Sequence, residues 1–222
     1  MNIAIYDLDR TLTRQPTFTP FLVFAARRIA AVRLALVPVW IVMMIGYRLK
    51  LYNRTRLKEM GMALMLGRVS RDRLEVLGTE FARRRIENDG IMPGARELLE
   101  QDRAKGARLV MATAAFEFYA TAFAQALGFD ACIATRWDGK NIPGGNCYGE
   151  TKKQRVLAWL DSQNIDASKA HIRFVSDSFA DSPLLDLVQN PIFVTENAAQ
   201  KRRAEAQGWQ VMDLSSHIQP SG

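Results

Sequence analysis

At 222 residues with 48% hydrophobic content, the chain is long enough for one core domain plus an insertion. Its two cysteines, Cys132 and Cys147, exclude a disulfide framework and suit a reducing compartment; they lack metal-ligand spacing, and His171 and His217 lie far apart, so a zinc site is not expected. The net charge of +7 is unevenly placed: Arg10 to Lys58 holds ten basic residues and no acidic one, while the rest has 20 basic and 23 acidic, so the chain is not uniformly basic.

Ile3 to Tyr6 reads as a short buried strand. It runs into Asp7-Leu8-Asp9, where two like charges repel and each resists burial. A divalent cation held by hard oxygens turns that repulsion into ligation; a solvated loop is the alternative. No basic segment followed by an apolar stretch and a small-residue cleavage site begins the chain, so no signal peptide is expected. Pro16 and Pro20 then break the chain. Leu34 to Tyr47 is a run of 14 uncharged residues with Pro38 inside and arginines on either side, and Met60 to Leu66 is a second apolar patch. Residues 71–88 read as an amphipathic helix with Leu74, Leu77 and Phe81 inward and Ile86 at the end of the stripe. Pro93-Gly94 closes the insertion.

From Gly94 helices and strands alternate. Helices are expected over 95–105, 116–127, 151–163, 182–188 and 198–207, and strands over 108–112, 132–134, 172–175 and 192–194. Residues 138–149, rich in Gly, Pro and Asn, read as turns or a hairpin. This alternation implies a parallel sheet covered on both faces.

Ligands of such sheets sit beyond the C-terminal strand ends. Four such places carry polar side chains: Asp7 and Asp9; Thr113; Lys152, on the helix after the turns; and Ser176-Asp177 with Asp181. Each has a plainer competing role. Thr113 suits a helix N-cap, Lys152 a solvated helix position, and Asp177 and Asp181 turn and capping positions.

Taken in order, these segments resemble a known family. Asp-x-Asp-x-Thr at 7–11, Val-Met-Ala-Thr-Ala-Ala at 110–115, Cys-Tyr-Gly-Glu-Thr-Lys-Lys at 147–153 and Phe-Val-Ser-Asp-Ser-Phe-Ala-Asp-Ser-Pro-Leu-Leu at 174–185 resemble the four motifs of haloacid dehalogenase (HAD) superfamily phosphatases. The last resembles the form found in subclass IB, which contains phosphoserine phosphatase. The resemblance covers about residues 1–15 and 94–195. It implies a Rossmann-like α/β fold with helices on both faces of a parallel sheet. Residues 1–13 and 94–222 would form the catalytic core, with a helical cap, residues 14–93, inserted after the first strand.

The resemblance also implies Mg²⁺-dependent hydrolysis of a phosphomonoester. Asp7 would be the nucleophile, forming an aspartyl-phosphate, and Asp9 would protonate the leaving alcohol and then activate water. The Asp7 carboxylate, the Asp9 carbonyl and Asp177 would hold the metal, with Asp181 in support. Thr11, Thr113, Ala114 and Lys152 would contact substrate. Thr113 would hydrogen-bond a phosphoryl oxygen, and Lys152 would offset phosphoryl charge and orient Asp7. Lys153 is the rival lysine, but family spacing after Gly149-Glu150 favours Lys152.

Caps of this family choose substrates. In phosphoserine phosphatases an acidic residue shortly after the first motif helps hold the substrate amine, and here Leu-Thr-Arg-Gln-Pro-Thr-Phe follows Thr11 with no carboxylate. The basic, apolar cap resembles instead that of bacterial C-type phosphatidylglycerophosphatases. That favours a phosphorylated lipid headgroup, such as phosphatidylglycerophosphate, over a small soluble monoester such as phosphoserine. It places the protein in the cytoplasm, on the inner face of an anionic membrane. A buried cap helix is the competing reading of residues 34–47. All the strands must join one sheet, so the run cannot be a single pass; it lies in the interface or dips in and returns, a bend Pro38 permits. Nucleic acid is not an expected partner, because phosphate-backbone surfaces spread charge along the contact and the uncharged run interrupts this one.

Overall fold

Ile3, Ala4, Ile5 and Tyr6 are all buried, as a central strand requires. The computed structural model describes residues 1–88 and 90–217. In it β1 (Asn2–Tyr6) lies between β2 (Arg108–Phe116) and β4 (His171–Ser176). The six strands run in the order β3-β2-β1-β4-β5-β6, with β3 at Ala131–Thr135, β5 at Asn190–Val194 and β6 at Gln210–Met212. Every pairing is parallel. Alternate residues of β1 serve opposite faces: Ala4 and Tyr6 pack toward α5 (Pro93–Ala104) and α6 (Glu117–Ala126), and Ile3 and Ile5 toward α7 (Glu150–Ser162), α8 (Ser182–Leu185) and α9 (Ala198–Glu205). This is the expected doubly covered α/β sheet.

Two details differ from expectation, at β6 and α8, and residues 138–149 take the turn reading rather than the hairpin. Strand β6 has too weak an apolar pattern to be read from Gln210-Val211-Met212. The helix expected over 182–188 starts at Ser182 but ends at Leu185, because residues 186–189 already turn into β5.

The cap comprises α1 (Phe18–Ile29), a 3₁₀ segment (Ala31–Leu36), α2 (Val37–Arg48), α3 (Arg54–Met65) and α4 (Arg71–Asn88). It shares its core with α6. Phe21 of α1 stacks on Tyr119 at 4.9 Å between ring centroids and meets Phe81 of α4 at 5.4 Å. Gly78 lets α4 approach closely, since a Cβ there would sit 1.9 Å from the Phe118 carbonyl oxygen.

Helix α2 behaves differently. Trp40 pins it, packing edge-on against Phe18 and donating from Nε1 to Thr19 Oγ1 at 3.3 Å. Only Trp40 and Gly46 of this helix are buried, and Val39, Ile41, Val42 and Ile45 are exposed. The stretch Ala31–Arg48 is long and apolar enough to cross a membrane by length and composition, yet Trp40 and Gly46 are its only buried residues. Residues 34–47 are thus half-buried: Leu34, Leu36, Val37, Met43, Met44 and Tyr47 pack against the core, and an apolar face is left exposed opposite them.

Candidate active site

The short strand β1 delivers Asp7 to the C-terminal edge of the sheet, flanked by the ends of β2 and β4. Asp7 is 6% exposed. Its Oδ1 accepts from Leu8 N at 2.8 Å, and its Oδ2 lies 3.4 Å from Lys152 Nζ. Burial pushes the Asp7 carboxyl up from its ordinary range; Lys152 opposes that shift, while Asp181 and Asp9 add to it. Asp9 Oδ1 accepts from the backbone N and the hydroxyl of Thr17, at 2.8 and 2.7 Å, so the entrance to the cap orients this carboxylate.

Strand β2 runs past the expected end at Ala112 to Phe116, but its register against β3 shifts between Ala112 and Phe116. This bulge frees Thr113 and Ala114 from regular pairing beside Asp7. Thr113 is no helix cap: its Oγ1 accepts from Ala115 N at 3.1 Å, and Phe116 occupies the N-cap position of α6. Asp7, Asp9, Thr113, Ala114 and Asp177 line one cavity of about 240 Å³, joined by Arg10, Arg54 and Tyr148. Burial, then the charge of Asp7, raises the Asp177 carboxyl to about 7.

Lys152 is nearly fully buried and reaches both Asp7 and Asp181, whereas Lys153 stays half-exposed. Lys152 is the lysine at the carboxylates. Coulombic attraction to Asp181 and Asp7 outweighs its burial and holds its ammonium above the ordinary range.

Two expected site residues do other work. Asp181 Oδ2 accepts from Lys152 Nζ at 2.5 Å and Ser176 Oγ at 2.8 Å, and its Oδ1 accepts from Gly149 N at 3.2 Å. Both oxygens already accept hydrogen bonds, and the tie of Asp181 to the site runs through Lys152. Thr11 is fully buried, and its hydroxyl accepts from Asp177 N at 3.1 Å. It ties the β1 and β4 loops together and makes no cavity wall.

The residues present fit Mg²⁺ in one respect and resist it in another. Asp7 and Asp177 are oxygen donors crowded in one buried cavity, where carboxylate repulsion is relieved by a hard cation. Among the described residues, however, no three His, Cys, Asp or Glu side chains form a ready cage. Asp9 is held toward Thr17 and Asp181 toward Lys152. Mg²⁺ is often bound through one or two carboxylates and several waters, so the two remaining carboxylates fit it.

The sequence did not single out Lys58. It sits on α3, 3% exposed, and donates from Nζ to the Ala114 carbonyl and, at 2.9 Å, to Asn146 Oδ1. Its signal was a lysine within an apolar stripe, since Lys58, Gly61, Met62 and Met65 share the buried face of α3. Arg54, one turn earlier, lies 4.8 Å from the Tyr148 ring centroid.

Several known proteins resemble this chain. The chain is 29% identical over 126 residues to an "Inhibition of morphological differentiation protein" of Streptomyces azureus, a match covering 54% of this chain but only 45% of that protein. It is 29% identical over 157 residues to a histidinol-phosphatase of Neisseria meningitidis serogroup C (strain 8013), covering 67% of this chain and 70% of that one. Among solved structures, a Bordetella pertussis Tohama I protein of unknown function superposes with a TM-score of 0.82 at 27% identity, over 96% of this chain and 98% of that one. A phospho-aspartyl intermediate analogue of phosphoserine phosphatase shares the fold, with a TM-score of 0.60 at 13% identity over 97% and 94% of the two chains. Residues 4–186 match the haloacid dehalogenase-like hydrolase family from the first strand through the Asp177 and Asp181 segment, and the chain belongs to that family.

Proposed function

We propose that the protein hydrolyses a phosphorylated lipid headgroup, such as phosphatidylglycerophosphate, at the cytoplasmic face of an anionic membrane. The observation that carries the chemistry is the single buried cavity in which Asp7 meets Asp9, Thr113 and Asp177, with Lys152 behind. In this reading Asp7 attacks phosphorus and becomes the aspartyl-phosphate. Asp9, oriented by Thr17, protonates the departing alcohol and then takes the proton of the incoming water. Thr113 and the freed backbone at Ala114 face the phosphoryl oxygens, and Lys152, steadied by Asp181, offsets their charge. Asp7, Asp177 and the Asp9 carbonyl would hold Mg²⁺, which when bound neutralises phosphate charge.

The exposed apolar face of α2 supports the membrane part. Val39, Ile41, Val42 and Ile45 offer apolar side chains, and Arg33, Arg48 and Lys50 flank them with the charge that anionic headgroups attract. A second reading, a small soluble monoester, is favoured by the similarity to histidinol-phosphatase. Turnover of a panel of lipid and soluble phosphomonoesters, with and without anionic vesicles, separates the two. The lipid reading requires a lipid substrate to have the highest kcat/KM; a soluble substrate that exceeds it, with the protein free of vesicles, replaces that reading.

A further inference from the structure

A second cavity, of about 810 Å³, adjoins the catalytic one, and Arg54 and Tyr148 line both. Arg48, Lys50 and Arg54 stand in its wall with no carboxylate among its lining residues. Among the described residues none of the three makes an ion pair within 4 Å. Three cations around one concavity, of which Arg48 and Lys50 face no carboxylate in its wall, create a site that favours a negative ligand. Guanidinium groups suit phosphate oxygens in particular. A second observation points the same way. Asn146, 7% exposed, also lines this cavity; its Oδ1 is taken by Lys58 and Thr135, and its Nδ2 has no acceptor. The cavity opens at the C-terminal foot of α2, where the exposed apolar face gives way to Tyr47 and Arg48.

We propose that this cavity is a second anion site, which holds a phosphodiester carried by the leaving group while the monoester occupies the cavity of Asp7. The proposal rests on the phosphatase reading and adds that its substrate carries two phosphates, of which only one is hydrolysed. A phosphodiester reaches the site either within a lipid headgroup or in a soluble, deacylated headgroup; the recognition is the same.

The test is a variant carrying Arg48→Gln and Lys50→Gln, assayed on three substrates. These are p-nitrophenyl phosphate, deacylated glycerophosphoglycerol phosphate, and the diacyl lipid in detergent. Circular dichroism controls for folding. The ratio of kcat/KM for each phosphodiester-bearing substrate to that for p-nitrophenyl phosphate should fall about tenfold or more, mainly through KM, as expected for losing hydrogen bonds to a charged group. An unchanged ratio overturns the proposal. So does a fall confined to the diacyl lipid, since the cations would then be reading a lipid surface. Calorimetry with glycerophosphoglycerol, which has no monoester, gives an answer independent of turnover: it should bind the wild type and bind the variant about tenfold more weakly. Equal binding to both overturns the site. Failure of the phosphatase reading shows separately, as aryl phosphate hydrolysis unaffected by Asp7→Asn.

Discussion

Around Asp7, charged side chains sit where apolar ones belong; along α2, apolar side chains sit where charged ones belong. Asp7, Lys152 and Asp181 are each at most 6% exposed, while Val42 is 66% and Ile45 51% exposed. Burial sorts residues by polarity unless something else holds them, so each inversion marks a place where a ligand completes the structure. The first is built from the ends of central strands and is rigid by construction. The second is a helix that packs one face on the cap through Trp40, Val37, Met43 and Met44 and leaves an apolar face outside. On the proposed reading, the difference separates chemistry, written in the sheet, from membrane contact, written in the cap.

Breaking the first region should have the largest effect. Asp7→Asn should lower kcat/KM on an aryl phosphate by about a thousandfold or more, with an unchanged circular dichroism spectrum. Activity within about tenfold of wild type would remove Asp7 from the chemistry. Lys152→Met should cost about 3–5 kcal/mol in denaturant unfolding, because it strands the Asp181 and Asp7 carboxylates. Adding Asp181→Leu should recover part of that loss, and no recovery would mean the two residues are not coupled.

Lys58 sharpens the comparison, being a cap residue buried against the catalytic loop. Burial, reinforced by Arg54 and opposed by Asp9, Cys147 and Asp7, lowers its ammonium from 10.5 to about 7. Between those values the unfolded chain binds more protons at this site than the folded one, so raising pH stabilises the fold there. The penalty is fully present below 7 and is relieved as pH rises. The stability of wild type relative to Lys58→Met should therefore climb with pH between about 7 and 10. A flat difference, measured by urea unfolding, would mean that Lys58 keeps its ordinary proton affinity.

The smallest effect on stability belongs to α2. Replacing Ile41, Val42 and Ile45 with Ser should change unfolding free energy by less than about 0.5 kcal/mol at each site, since their side chains already meet solvent. The same variant should sediment less with anionic vesicles than the wild type, whose binding should weaken with salt. If it instead unfolds readily, those side chains are part of the cap core.

The sheet and most of the site were legible because strand ends are local features. Asp7, Asp9, Thr113, Lys152 and Asp177 each follow an apolar run or open a helix, and topology brings such ends to one edge. Residues whose role depends on a distant partner were harder. Thr11 sits in the first motif, but nothing local tells whether its hydroxyl faces substrate or the neighbouring loop; it faces Asp177 N. Asp181 was legible as a site residue, yet its tie to Lys152 spans 29 positions. Arg54 and Lys58 reach the site only through the packing of α3; the apolar stripe puts Lys58 on the buried face but does not say what that face meets. The bulge in β2 was invisible for the same reason, since its register is set against β3.

The central claim is that Asp7 itself carries the phosphoryl group during turnover. Mass spectrometry of enzyme acid-quenched during hydrolysis of an aryl phosphate tests it most directly. The wild type should show one added phosphoryl group on the peptide that contains Asp7, absent from Asp7→Asn. Turnover accompanied by label at another residue, or sustained in Asp7→Asn without label, would contradict it.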